Sequence, residues 1–312
     1  MVTPTQQRAA ADYLVETYSI SQRHACRLLG RSRSTVRYRR RPRSEEAALI
    51  RAIRRLAKRH PRYGYKRIRV RLVRQGWRVN LKRVRRLWNE LGLRRPPRRK
   101  KPKKTGRLPG SSANSCVNRP ARFKNDVWTY DFIMDRTVDG SSLKWLSLVD
   151  EYTRECLALF AANSITGADV RRALARVMGR RGAPQLIRSD NGSEFICKVL
   201  QGWLPQAGAE AIQVAPAHPW ENGYIESFHS RLRDEFLDRE EFESVRDARA
   251  KGAWWRREYN NIRPHSSLGY KTPNEFSAEC DRGLHDQKPR SECANASITV
   301  YGTPISRGPK NG

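Results

Sequence analysis

Positive charge in this chain is packed into its first third. Residues 1–110 carry 35 Lys and Arg against 5 Asp and Glu, whereas residues 111–312 carry 28 against 26. The formal charge of +32 therefore belongs almost wholly to one segment. Such a layout divides the chain into a cationic part suited to a polyanion and a nearly neutral part with its own core. Nucleic acid is the first candidate partner. A length of 312 residues suggests two or three domains and is enough to bury a sizeable core. The longest apolar run, Cys156 to Ala162, is too short to span a membrane, and no signal peptide is visible. The expectation is a soluble intracellular protein without a membrane partner. None of the six cysteines forms a C-x-x-C pair or a zinc-finger spacing with His, so reduced thiols are expected.

The basic third reads as helical. Residues 4–20 are followed by a short helix capped by Ser21 and ended by Gly30, then by a basic helix over Ser34–Arg40 capped by Ser32 or Ser34. Two helices around a glycine turn make a helix-turn-helix pattern, and Arg33, Arg37, Arg39 and Arg40 become candidate DNA contacts. Helical periods resume over 45–59, Lys66–Gln75 and Leu81–Leu91, with Lys66, Arg67, Lys82 and Arg83 as further phosphate-contact candidates. Residues 94–122 contain a Pro- and Lys/Arg-rich linker.

From Phe123 the pattern changes. Val127–Met134, Leu143–Val149 and Cys156–Ala161 read as three strands in an antiparallel meander. A helix over 168–179, a strand Gln185–Ser189, a helix near 195–206 and a strand Ile212–Ala215 follow. One long helix runs from Pro219 to Leu237 and another over 245–260, which gives a mixed α/β layer. Residues 277–312 have no pattern and are expected to be a disordered tail.

Phosphodiester cutting or joining needs charge stabilisation on both the attacking and the leaving oxygen. Two Mg²⁺ ions about 4 Å apart supply it, and carboxylates are their natural ligands. Three acids stand out. Asp131 lies inside an apolar strand, where a lone carboxylate requires a partner or a metal. Asp190 follows a strand and opens an Asp-Asn-Gly turn with Asn191 and Gly192. Glu226 sits on the helix after Pro219. On these residues alone two readings stay open: metal-dependent nucleic-acid chemistry, or a DNA-binding regulator whose second half only dimerises.

The words around these acids carry a resemblance. Trp128-Thr-Tyr-Asp-Phe, Arg188-Ser-Asp-Asn-Gly-Ser-Glu-Phe, Asn222-Gly-Tyr-Ile-Glu-Ser-Phe and Tyr259-Asn-Asn-Ile-Arg-Pro-His resemble the second reading-frame product of IS3-family insertion sequences, within the retroviral-integrase superfamily. The 35 residues between Asp190 and Glu226 match that superfamily's Asp, Asp-35-Glu signature. Upstream, Tyr63-Gly-Tyr-Lys-Arg-Ile and Val79-Asn-Leu-Lys-Arg-Val resemble the family's helical DNA-binding region.

The resemblance implies an RNase H-like core, a mixed five-stranded sheet with flanking helices, preceded by an all-α helix-turn-helix region. The expected layout is helix-turn-helix over 1–42, a second helical DNA-binding unit over 43–93, a linker over 94–122, the catalytic core over 123–276 and the tail beyond. It implies that Asp131, Asp190 and Glu226 ligate two Mg²⁺ ions, with Mn²⁺ able to substitute, and that the reaction is nicking at element ends followed by attack of the freed 3′-OH on another phosphodiester. Asn191 and Gly192 would shape the turn, and Asn222 and Arg231 would touch DNA. Double-stranded DNA, both terminal repeats and target, would be the partner of a homo-oligomer in the bacterial nucleoid. A small upstream helix-turn-helix protein is the expected frameshift-fusion partner. Where relatives often carry Lys, this chain has His218, and Arg263 and His265 serve packing or chemistry equally well.

Overall fold

A computed structural model describes residues 4–38, 45–93, 116, 118–189, 200, 202–213 and 223–284. These fall into two compact units: Met1–Pro61 with Lys82–Leu93, and Arg62–Leu81 with Arg94–Gly312.

The first unit is helical. It holds α1 (Pro4–Tyr18), α2 (Gln22–Leu28), α3 (Arg33–Arg37), α4 (Glu46–Arg59) and α6 (Leu81–Glu90). Ser21 and Ser32 cap α2 and α3 by accepting from the backbone N–H of His24 and Thr35. Gly30, at φ +61°, closes α2. Its N–H donates to Arg27 and that of Arg31 to Cys26, the paired bonds of a Schellman turn. Ala11, Cys26 and Val36 form the small core beneath these three helices. Helix α3 is shorter than the expected Ser34–Arg40, and Arg39 and Arg40 lie outside the described residues. On α4, Leu49, Ala52, Ile53 and Leu56 are buried. Its Glu46, 6% exposed, accepts from Arg86 on α6 at 2.9 Å.

The second unit contains α5 (Tyr65–Arg74) and a five-stranded sheet. The strands are β1 (Val127–Arg136), β2 (Ser142–Asp150), β3 (Cys156–Ala162), β4 (Leu186–Ser189) and β5 (Glu210–Gln213), in the order β3-β2-β1-β4-β5. β1, β2 and β3 pair antiparallel, whereas β4 pairs parallel to β1 and to β5. The expected meander and the mixed sheet are both present. By its contacts α5 groups with the sheet rather than with α4 and α6. Of the helix expected near 195–206, residues 195–199 and 201 lie outside the described residues.

Strand alternation sends odd and even residues to opposite faces. One face carries Trp128, Tyr130, Leu146 and Leu148, packed with Val170 and Leu174 of α7 (Gly167–Arg181). The other carries Ile133, Leu143 and Trp145, packed with α8 (Gly223–Glu235) and α9 (Val245–Asn261). A last helix, α10 (Pro273–Asp281), begins with a Thr272–Glu275 capping box. The expected tail from residue 277 is thereby corrected: the cap and the burial of Ser277 hold this stretch as helix through Asp281. Among the described residues, no helix is long and apolar enough to cross a membrane.

Candidate active site

Asp131 occupies an odd position of β1, on the face that meets α8. Opposite it in register is Ser147 of β2, fully buried. Asp131 remains about a third open to solvent, with a side-chain exposure of 31%. Its Oδ1 accepts from the backbone N–H of Phe132 at 2.7 Å. Its Oδ2 faces Nδ1 of His229 on α8 at 3.4 Å, and Nε2 of that ring lies 2.7 Å from Ser147 Oγ. His229 thus bridges both strands to the helix. Burial, joined by the positive charge of Arg233, pushes the His229 pKa down to about 4, so the ring is neutral at pH 7. A neutral ring sets no charge against Asp131; its Nε2 pairs with the Ser147 hydroxyl, which also donates to the Asp131 carbonyl at 3.1 Å, and this holds the ring beside the carboxylate.

Glu226 lies three residues before His229 on α8, and is exposed. Residues at this spacing are neighbours on one helix face. The helix that delivers Glu226 is therefore tied one turn later to Asp131. At its first turn Tyr224 lies under the Arg154 guanidinium, 3.8 Å from the ring centroid. The apolar side of α8, Ile225, Phe228 and Leu232, is buried against the sheet.

The third acid, Asp190, lies outside the described residues, as do Asn191, Gly192, Asn222 and His218. The strand that leads to it is described. β4 ends with Ser189 beside Tyr130, one residue short of Asp131 on the neighbouring strand. Arg188 is fully buried and ion-paired to the equally buried Glu151, and it donates to the Arg119 carbonyl at 2.8 Å. This pair anchors the end of β4. Among the described residues no three His, Cys, Asp or Glu side chains group as a metal site. The donor set available around Asp131 and Glu226 is hard carboxylate oxygen, which fits a hard divalent cation such as Mg²⁺.

The far end of α8 is fixed by a second charge cluster. Glu235 accepts from Arg263 Nη2 and Nε at 2.5 and 2.6 Å and from Arg67 at 3.3 Å. Burial alone would raise the Glu235 pKa, but Arg263, then Arg67 and Arg231, reverse this and hold it below the usual range. Arg62 pairs with Asp234 at 3.2 Å. The Tyr63-Gly-Tyr-Lys-Arg word is thus bolted to the helix carrying Glu226. Arg263 has a structural task here. Asn260 of the same word likewise bonds both the N–H and the carbonyl of Cys156, each at 2.9 Å.

The candidate DNA contacts differ among themselves. Arg33, Arg37, Lys66 and Lys82 are exposed. Arg67 is committed to Glu235, and Arg83 lies half-buried 4.0 Å from Glu46. Arg231 is half-buried and donates to the Ser227 carbonyl at 2.6 Å. His229, Ser147 and the Arg188–Glu151 pair were not singled out from sequence. Arg188 left one trace, a charge inside an apolar strand, while His229 left only its spacing from Glu226.

Comparison with known proteins shows the family. Two family models described as integrase core domain match residues 121–219 and 207–273, and one described as HTH-like domain matches residues 44–101. The chain is 38% identical over 264 residues to a 31.7 kDa protein of insertion element IS407 from Burkholderia multivorans, covering 85% of this chain and 93% of that one. It is 37% identical over 277 residues to a 39.2 kDa protein of insertion element IS476 from Xanthomonas euvesicatoria, covering 89% and 78%. The transposase of insertion sequence IS904 from Lactococcus lactis is 28% identical over 222 residues, covering 69% and 87%. Among solved structures, the HTLV-2 integrase catalytic core in complex with magnesium covers 50% of this chain at 16% identity, with a TM-score of 0.39. With an integrase core, an HTH-like region and close relatives along most of its length, this chain belongs to the IS3-family insertion-sequence transposases, DNA transposases of the DDE type.

Proposed function

We propose that this transposase nicks the ends of its element and joins each freed 3′-OH to target DNA, using Asp131, Asp190 and Glu226 as one carboxylate site. The observation that carries this reading is the His229 bridge, which ties the strand of Asp131 to the helix of Glu226. Asp190 is one chain step, about 3.8 Å between Cα atoms, from Ser189 at the end of β4. The three acids would hold two Mg²⁺ ions, with Mn²⁺ able to replace them, and these would stabilise charge on the attacking and leaving oxygens.

The chain's own residues prepare that site. Ser147 and His229 orient Asp131, and the buried Arg188–Glu151 pair fixes the strand that leads to Asp190. Asn191 and Gly192, next in the chain, are the proposed support for Asp190. In the first step water attacks phosphorus, the bond to the 3′ oxygen breaks, and a 3′-OH and a 5′-phosphate result. In the second step that hydroxyl bonds to a target phosphorus and the target's own 3′ oxygen leaves. Exposed Arg33, Arg37, Lys66 and Lys82, with Arg39, Arg40 and Asn222, contact the DNA, while Arg67, Arg83 and Arg231 brace the elements that present them. The enzyme acts as a homo-oligomer on two DNA ends in the nucleoid, and an upstream helix-turn-helix protein joins it by frameshift fusion.

The test is cleavage and joining on labelled duplexes carrying the element's ends, with Mg²⁺ or Mn²⁺. Asp131→Asn, Asp190→Asn and Glu226→Gln each abolish both steps while DNA binding persists. Cutting that survives in any of the three removes that residue from the site.

A further inference from the structure

A second cationic feature lies in the core unit, and neither Asp131 nor Glu226 lines it. Between α7 and α9, over the outer edge of β3, runs a cleft of about 1030 Å³. Its floor is already closed. Arg249 Nε donates to the Ala161 carbonyl and Arg256 to that of Leu157, each at 2.7 Å. With Asn260 on Cys156, these side chains occupy the strand edge, so a peptide strand cannot add there.

Its walls carry more positive charge than the cleft uses. Arg172 pairs with Asp169, Arg181 with Glu155 and Asp150, and Lys124 with Asp281. Arg176 and Arg180 on α7 and Arg257 on α9 are exposed, line the cleft, and have no carboxylate partner among the described residues. Arg176 and Arg180 stand one turn apart, about 6 Å along the helix axis. A second copy docked through this face would bring six unpaired guanidinium groups together. An extended polyanion is the complementary occupant.

The geometry points to this α7–α9 cleft as a contact for the sugar–phosphate backbone of a DNA duplex, separate from the acids that do the chemistry. The inference rests on the chain being a DNA transposase. Guanidinium on phosphate reads no base, so the contact is insensitive to sequence. Each neutralised phosphate releases counterions and contributes about 0.9 to the slope of log affinity against log salt.

The experiment compares the full chain with a triple variant, Arg176→Ala, Arg180→Ala and Arg257→Ala, binding an element-end duplex and a random duplex across a salt series. All three side chains are exposed, and an unchanged thermal midpoint confirms the fold. The expected slope is shallower by about 2 to 3 for the occupant duplex. Loss on both duplexes is the result expected of a contact that reads no base; loss on the random duplex alone would assign the cleft to target DNA, and loss on the element end alone to terminal repeats placed there by the chain's other contacts. An unchanged slope on both duplexes overturns the proposal, and an accompanying fall in oligomer mass would make the cleft a contact between copies. Binding is read without catalysis, so Asp131→Asn in the same series keeps the wild-type slope whatever the fate of the carboxylate reading.

Discussion

Arginine does one kind of work on the surface of the helical unit and another inside the core unit. In the helical unit Arg33, Arg37, Arg51, Arg54 and Arg55 face solvent. In the core unit Arg188 is fully buried and Arg263 is 2% exposed, and each is matched to a carboxylate. The excess of positive charge sits in residues 1–110, +30 against +2 for residues 111–312, a division that does not coincide with the two units, so the contrast lies in exposure and pairing. Exposed guanidinium groups keep their hydration and stay available to a polyanion. Buried ones have lost water and are held by Glu151 and Glu235, at the ends of the strand before Asp190 and of the helix bearing Glu226. The same residue type thus supplies affinity where it is exposed and rigidity where it is buried.

The sharpest break of this contrast is Arg188→Met. Removing one partner leaves Glu151 buried and charged, and the expected loss is about 3–5 kcal/mol in urea or thermal unfolding. Adding Glu151→Leu should recover much of it, because the uncompensated charge is gone. A single variant with wild-type stability would mean that the pair is not structural. Glycine shows the next difference. A Cβ on Gly30 in the helical unit meets nothing within 4 Å, and only its positive φ requires glycine. A Cβ on Gly252 of α9 would sit 2.6 Å from the Trp145 ring. Gly252→Ala therefore overpacks the core, and a loss of about 1–3 kcal/mol is expected from the same unfolding assay.

Much of this was legible in advance, for physical reasons. Period-2 alternation gave β1, β2 and β3, and an acid inside an apolar strand marked Asp131. Serine and glycine punctuation placed α2 and its turn. Partnerships between distant residues were not legible. His229 meets Ser147 across 82 positions, and Arg263 meets Glu235 across 28. No local spacing encodes such a contact. Arg67 is a DNA-contact candidate because neighbouring charge was all the sequence offered, and its ion pair with Glu235 at 3.3 Å was not readable there. Helix α10 was missed because nine residues of weak periodicity hide a capping box that only Thr272 and Glu275 announce.

Acid should also separate the units. His265, buried in the core, has its pKa pushed well below the ordinary value by burial and then by Arg263. The unfolded chain protonates this histidine near pH 6.5 while the folded chain resists. The unfolded state then holds more protons, so its contribution is intact above about pH 6.5 and is lost as pH falls below it. His265→Gln should flatten the dependence of unfolding free energy on pH between about 6.5 and 5, and a slope equal to wild type would assign the effect to other groups.

The smallest effect on stability should come from the charges that look most conspicuous. Arg33 and Arg37 are exposed on α3, and Arg37 makes one surface bond, to Gln22 at 2.6 Å. Replacing both with Ala should leave unfolding within about 0.5 kcal/mol of wild type, the usual range for surface positions. DNA affinity should fall nonetheless, with a salt slope shallower by about 0.9 for each phosphate contact removed. Equal loss of stability and affinity would place these arginines in the fold and dissolve the contrast between the units. Loss of affinity alone keeps the division: exposed guanidinium groups serve a partner, and the buried ones of the core hold the elements that carry its acids.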